Sequence, residues 1–244
     1  MSKTTRIQRG SRTIKFAIAT AIGTTLFALG RWYTLPASKT PEGTLLDYFL
    51  PNAEFNGHVS VTIHAPPKAI FQAIRRVTLA DMPVAKFMGE LRYLPSRLTG
   101  KRAEETLDTE PFMDVVLAEV GNIVLTEVPN QELIVGGIGK YQNLLDQQIV
   151  PLQTPTEFMD FDQPEYQKLA MSFRVAGSDP TAGCNLTLEH RTHALSSAAR
   201  WKFALYWLGI KPGGNFVSWL LLRAIKRRAE IMVTDEAFAQ NSSG

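Results

Sequence analysis

Helical and strand-like periodicities are segregated along this chain instead of alternating, and that ordering most narrows the folds open to it. His58 to His64 alternates, with Val59, Val61 and Ile63 on one face and Ser60 and Thr62 on the other, as a half-buried strand requires. Pro66-Pro67 stops it, and Pro67 suits the first position of a helix whose stripe is Ile70, Phe71, Ile74 and Val77. Thr78 and Asp81 stand at capping-box spacing and open a second helix, with Val84, Phe87, Met88, Leu91 and Leu94 apolar before Pro95. A polar loop over Lys101–Glu110 and a short helix over Pro111–Glu119 follow.

The middle of the chain is strand-like. Ile123–Val128 and Glu132–Tyr141 are joined by a turn at Val128-Pro129-Asn130-Gln131. Gly136, Gly137 and Gly139 thin the second of these, which predicts a bulge, a bend or a close approach. Gln142–Thr156 reads as a loop with a short strand near Ile149, and Glu157–Phe161, Tyr166–Val175 and Asn185–Leu195 read as strands. The end is helical: Ser197–Leu208, a break at Lys211-Pro212-Gly213-Gly214, then Asn215 to Ala237. Such an order predicts an α+β fold. With 45% hydrophobic residues in 244, the chain can bury a core and is not a disordered one. Cys184 is the single cysteine, which excludes an intrachain disulfide and a cysteine zinc site.

Charge is concentrated at the start. Lys3, Arg6, Arg9, Arg12 and Lys15 lie in the first fifteen residues with no acid, and removing those five charges from the net of +3 leaves −2. The basicity belongs to the tail and gives no argument for nucleic-acid binding. Phe16 to Gly30 is uncharged, and Arg31, Trp32 and Tyr33 close it. Behind a basic stretch this reads as a signal-anchor. Its rise as a helix is only about 22 Å, so Lys15 and Arg31 would have to snorkel to span a bilayer. Ala28 and Gly30 are small residues at cleavage-site spacing, so a cleaved signal, leaving a secreted or periplasmic domain, is the alternative. The charge bias places the tail in the cytoplasm and the domain on the other side. Residues 1–34 are thus expected to be tail and anchor, 35–56 a Pro- and Gly-containing linker with one amphipathic turn at Leu45–Leu50, and 57–237 the folded domain.

Several residues could carry chemistry. Glu189, Arg191 and His193 share one face of a strand, and Leu186, Leu188, His190 and Thr192 the other. The pattern favours water for the charged face; in a cavity, Glu189 and Arg191 would orient a polar ligand group. His58, His64, His190 and His193 do not have metal spacing. Gly136-Gly137-Ile138-Gly139-Lys140 lacks the first Gly and the Ser or Thr of a phosphate loop, and no hydrolase motif is present. Trp201, Phe203, Tyr206, Trp207, Phe216 and Trp219 crowd the terminal helical region, either packing it or lining a pocket. Arg223, Lys226, Arg227 and Arg228 form a basic patch on the same region.

Gly57 to Arg76 and the helix pair continuing into Thr78-Leu79-Ala80-Asp81-Met82-Pro83 resemble the opening of the START/Bet v 1 (SRPBCC, polyketide cyclase/dehydrase-like) superfamily. Glu132–Gly136 with Gly139-Lys140, Phe158–Phe161, Leu186–Arg191 with Ala198-Ala199-Arg200, and Leu222–Glu230 resemble later parts of a bacterial subgroup. His190 and Thr192 depart from the Thr and Val of that pattern. The resemblance spans Gly57 to Glu230. It implies a helix-grip fold, a curved antiparallel sheet wrapped around a long C-terminal helix with an apolar cavity between, and binding or transfer of a lipid, sterol or polyketide-like molecule near a membrane. Phe87, Tyr141, Phe173, Glu189, Arg191, Phe203, Tyr206 and Trp207 are the residues expected to contact it. No cofactor, metal or catalytic residue is expected. The alternatives are a cyclase- or dehydratase-like enzyme using Glu189, Arg191 or Tyr206, and an interaction protein with a filled cavity.

Overall fold

The computed structural model describes residues 44–84, 109–118, 121–141, 148–177 and 183–241. The hydrophobic segment 16–30, Phe87 and most of the second helix expected after Thr78 lie outside these. In chain order the elements are α1 (Leu45–Phe49), β1 (Phe55–Ile63), α2 (Pro67–Arg76), a 3-10 turn (Leu79–Asp81), α3 (Phe112–Ala118), β2 (Ile123–Val128), β3 (Glu132–Gly139), β4 (Ile149–Val150), α4 (Pro155–Asp160), β5 (Gln167–Ala176), β6 (Cys184–Ala194) and α5 (Ser197–Asn241). The fold is α+β: a six-stranded sheet in the order β1-β6-β5-β3-β2, with β4 on β3, every pairing antiparallel.

The first and last strands pair over nine residues, from Phe55 opposite Thr192 to Ile63 opposite Cys184. Directly opposed residues share a face, so the register sorts the sheet into two sides. The inner side carries Leu133, Val135, Phe173, Leu186 and Leu188, which pack with α2 and with Leu221, Leu222, Ile225 and Ala229 of α5. A second apolar layer covers the outer side: Leu46 and Leu50, at and just after α1, and Phe158 of α4 bury Ile134, Ile138 and Ala170. All eight residues of β3 are buried as a result.

Three sequence readings are corrected. The segment from Thr44 packs on the sheet and is no linker, and the amphipathic turn expected at Leu45–Leu50 is α1: Thr44 and Asp47 form its capping box, and Leu46 is fully buried. Glu157–Phe161 is not a strand but the body of α4. Pro155 starts that helix, and the Thr154 hydroxyl accepts the Glu157 N–H at 3.2 Å, so local capping outweighs the apolar pattern. The helical end does not break at Lys211–Gly214. Helix α5 runs on for 45 residues, because Phe203 and Trp207 before the interruption and Leu221, Leu222 and Ile225 after it are each anchored on the sheet. The β2–β3 turn is as expected, with Asn130 taking the left-handed conformation at φ 60°.

Gly209 and Gly214 sit inside α5, where an added Cβ would meet no atom within 4 Å. Gly costs a helix interior about 1 kcal/mol relative to Ala. Gly209→Ala and Gly214→Ala should therefore each raise the urea midpoint, together adding about 1–2 kcal/mol. A loss of stability instead would show that the helix is bent at these positions.

Candidate functional site

The charged face of β6 is the outer one, and it is not in water. Arg191 donates from Nε to Glu189 Oε1 at 2.7 Å and from Nη1 to Asp47 Oδ1 at 2.6 Å and the Leu50 carbonyl at 3.1 Å. The side chains of Arg191 and Glu189 are 5% and 7% exposed, and Asp47, on α1, stands at the rim. Burial disfavours the guanidinium, but Asp47 and Glu189 outweigh it and raise the Arg191 pKa. These groups lie across the sheet from α5, so neither Glu189 nor Arg191 reaches the space between sheet and helix. Their geometry is that of a clasp holding α1 to the sheet. An acid–base role for them in an inner cavity has no geometric basis.

The inner face changes character along its length. At the β2–β3 turn end it is apolar, and Phe173 is buried there in the main core. Toward the start of α5 it turns aromatic and polar. Phe55 meets Phe203 edge-on at 4.8 Å and Trp207 at 6.0 Å, and Phe203 stacks on Trp207 at 5.8 Å. Tyr141 belongs to this cluster, and Tyr206 packs at its margin, 5.5 Å from Phe203. Four residues expected from the sequence, Tyr141, Phe203, Tyr206 and Trp207, are thus brought together.

At this end six buried polar atoms have no hydrogen-bond partner among the described residues: Tyr141 Oη, Asn122 Oδ1, Gln167 Nε2, Thr192 Oγ1, Trp207 Nε1 and Asn215 Oδ1. Native interiors rarely leave such atoms unpaired, since each costs about 1–3 kcal/mol. Two glycines make room for them. A Cβ on Gly137 would stand 2.1 Å from Asn122 Oδ1 and 3.2 Å from Tyr141 Oη; one on Gly57 would stand 2.7 Å from the His190 ring and 3.0 Å from Asn215 Oδ1. Asn122 is held by its other amide atom, Nδ2 donating to the Val116 carbonyl at 3.2 Å, and Gln167 by Oε1 accepting the Tyr141 N–H at 3.1 Å.

The cluster is uncharged. Burial pushes the Tyr141 phenol well above its ordinary value. His190, 5.6 Å from Trp207 ring to ring, is pushed down to about 4 by burial first and by Lys211 and His58 second. Donors (the Trp207 indole, the Gln167 amide) and acceptors (Asn122, Asn215) are both present, so the site can hold a neutral molecule with a ring-like apolar body and hydroxyl or carbonyl groups.

Asn122, Gln167, Asn215 and Phe55 were not singled out in the sequence; Thr192 and His190 were placed on the uncharged face of the last strand and noted as departures from the family pattern, His190 also being set aside as a metal ligand. The one available signal was the run of glycines in β3. Elsewhere a groove of about 670 Å³ opens between the 3-10 turn and α5, lined by Met82, Leu220, Arg223, Arg227 and Ile231 among others. Its cations are engaged: Arg227 donates to the Asp81 carbonyl at 2.9 Å, Lys226 to that of Thr62 at 2.8 Å, and Arg223 lies over the Trp219 ring.

Two tests follow from this geometry. Arg191→Ala strands the buried Glu189 carboxylate and should destabilise by about 3–5 kcal/mol, whereas Arg191→Met with Glu189→Gln should recover most of that in chemical denaturation. His190 sets the acid limb of stability. Its folded pKa is depressed, so between about pH 6.5 and about 4 the unfolded chain binds more protons and stability falls as pH falls, by on the order of 3 kcal/mol. His193 works oppositely: Glu54 at 3.1 Å raises its pKa, giving stability below pH 6.5 that fades as pH rises through the raised value. His193 is a third exposed and its share is smaller. His190→Gln should flatten the acid limb in urea titrations from pH 4 to 7; an unchanged slope would show that His190 is protonated in the fold. No protein-family model, curated protein or solved structure matches the chain.

Proposed function

We propose that the chain is a helix-grip protein that binds a neutral, largely apolar small molecule at the aromatic end of the sheet–helix interface. The observation that carries the reading is that six buried polar atoms at the aromatic end of this interface have no hydrogen-bond partner among the described residues. The first-to-last strand pairing with a long terminal helix on one face supports the fold assignment. Binding without turnover fits the site better than catalysis, because the polar groups there are amides, hydroxyls and an indole, and the neighbouring phenol and imidazole are both pushed away from neutral pH. The basic tail and uncharged segment 16–30 would tether this module to a membrane; no described helix is long and apolar enough to cross one.

Native mass spectrometry of the full chain, followed by solvent extraction, should recover a stoichiometric neutral compound. Titration with Nile red, an uncharged apolar probe, should show saturable binding that Tyr141→Phe and Trp207→Phe weaken by roughly tenfold each, one hydrogen bond's worth. Glu189→Gln, on the far face, should leave the probe's affinity within about twofold. An empty protein whose probe binding ignores both site substitutions would mean that the interface is a closed core, as in an interaction protein.

A further inference from the structure

The face of α5 turned away from the sheet has a composition of its own. From Ser197 to Ala229 the helix carries seven cations (Arg200, Lys202, Lys211, Arg223, Lys226, Arg227 and Arg228) and no acid. Its four most prominent apolar side chains in that stretch are exposed: Trp201 at 68%, Leu205 at 71%, Phe216 at 42% and Trp219 at 39%. At about 100° per residue all four fall within a stripe about 60° wide, running about 27 Å from Trp201 to Trp219. The opposite side of the same helix is the one that packs, through Phe203, Trp207, Leu221, Leu222 and Ile225. The stripe is therefore not a leftover of the core.

Its cations are unevenly placed: Lys202 falls about 70° from the midline of the stripe, whereas Arg200 and Lys211 fall on the sheet-facing side, beside Trp207 and Leu222. Arg223 lies on the stripe itself, its guanidinium 4.7 Å from the centre of the Trp219 ring, and Phe216 stacks on that same ring at 5.9 Å. Some of this charge is shared with neighbours: Arg200 Nη1 is 3.7 Å from Glu54 Oε1, and Lys202 acts on Glu165. Exposed apolar side chains aligned over this length mark interaction surfaces. Tryptophan and leucine beside long cationic side chains suit the boundary of a bilayer, where the rings enter the acyl region and the cations reach the phosphates. A second copy of the same face fits worse, since it would oppose like charges.

We propose that the outer face of α5, through Trp201, Leu205, Phe216 and Trp219, lies in the surface of an anionic membrane, with Lys202 and Arg223 at its lipid phosphates. This docking is separate from ligand binding on the other side of the helix and from any anchoring by segment 16–30. The test uses the full chain carrying Trp32→Phe, mixed with vesicles whose acyl chains are brominated. In vesicles containing phosphatidylglycerol, tryptophan emission should shift to the blue and be quenched. High salt should reverse the quenching, and phosphatidylcholine alone should give little of it. Trp201→Ser with Trp219→Ser should abolish the quenching while circular dichroism stays unchanged, and Lys202→Glu with Arg223→Glu should weaken it tenfold or more. Quenching that is absent, equal in phosphatidylcholine, or indifferent to the tryptophan substitutions would overturn the proposal. So would a concentration-dependent dimer in sedimentation that the tryptophan substitutions dissolve.

Discussion

The pairing of the first strand with the last is the contact on which the remainder rests. Nine opposed residues, from Phe55–Thr192 to Ile63–Cys184, join segments about 130 residues apart and set which side of each strand faces α5. A slip of one residue would turn Leu186 and Leu188 outward and carry Glu189 and Arg191 under the helix. The buried clasp from Arg191 to Asp47 works against that slip from the other side of the sheet, because its charges are satisfied only in this register. Loop closure over so long a span is entropically costly, and it is recovered only when α5 packs onto both strands at once.

Covering the sheet on both faces gives the two polar groupings different characters. On the outer face the charges are real and nearly all matched, which produces rigidity and no open chemistry. On the inner face the groups are neutral and unmatched, a combination with a cost that a packed core has no reason to carry. Size decides the assignment: six unpaired atoms at about 1–3 kcal/mol each would rival the whole stability of an ordinary domain. Partners for them are therefore expected, and the mixture of donors and acceptors describes what those partners look like.

Much of the architecture was legible in the sequence. Alternation in β1, the stripe of α2, the Asn130 turn and the segregation of helices from strands all follow from periodicity and local backbone chemistry. The failures have two causes, tertiary context overriding a local signal and, around Phe158, one local signal overriding another. Pro212 and three nearby glycines would break an isolated helix, but anchors on both sides hold α5 through them. Phe158 suggested a strand, but Thr154 and Pro155 start a helix around it. The alternation favoured water for the face of Glu189 and Arg191 while the resemblance put both against a ligand; the cover they have, α1, lay in what read as linker with one amphipathic turn. The polar set was illegible for a further reason: Gln167, Thr192 and Asn215 come from three elements and Asn122 from the residue before β2, and they acquire meaning only together.

The terminal helix joins these observations, because one cylinder presents opposite demands to its two sides. Inward, Phe203 and Trp207 close the aromatic end of the sheet; outward, one residue or a few away in sequence, Trp201 and Leu205 face solvent. An amphipathic helix that merely caps a core would show charge on its outer side, as most do. Here the outer side is apolar along its centre, with Lys202 and Arg223 beside the rings, and acids are missing until Glu230. Glu230 itself turns back to the fold, accepting the His64 N–H at 3.0 Å. Beyond Ala229 the charge pattern becomes mixed, with Glu230, Asp235 and Glu236. The unusual composition is thus confined to the part of the helix that lies over the sheet. Both sides are constrained there at once, so the glycine- and proline-bearing middle of α5 stays helical without a propensity of its own to do so.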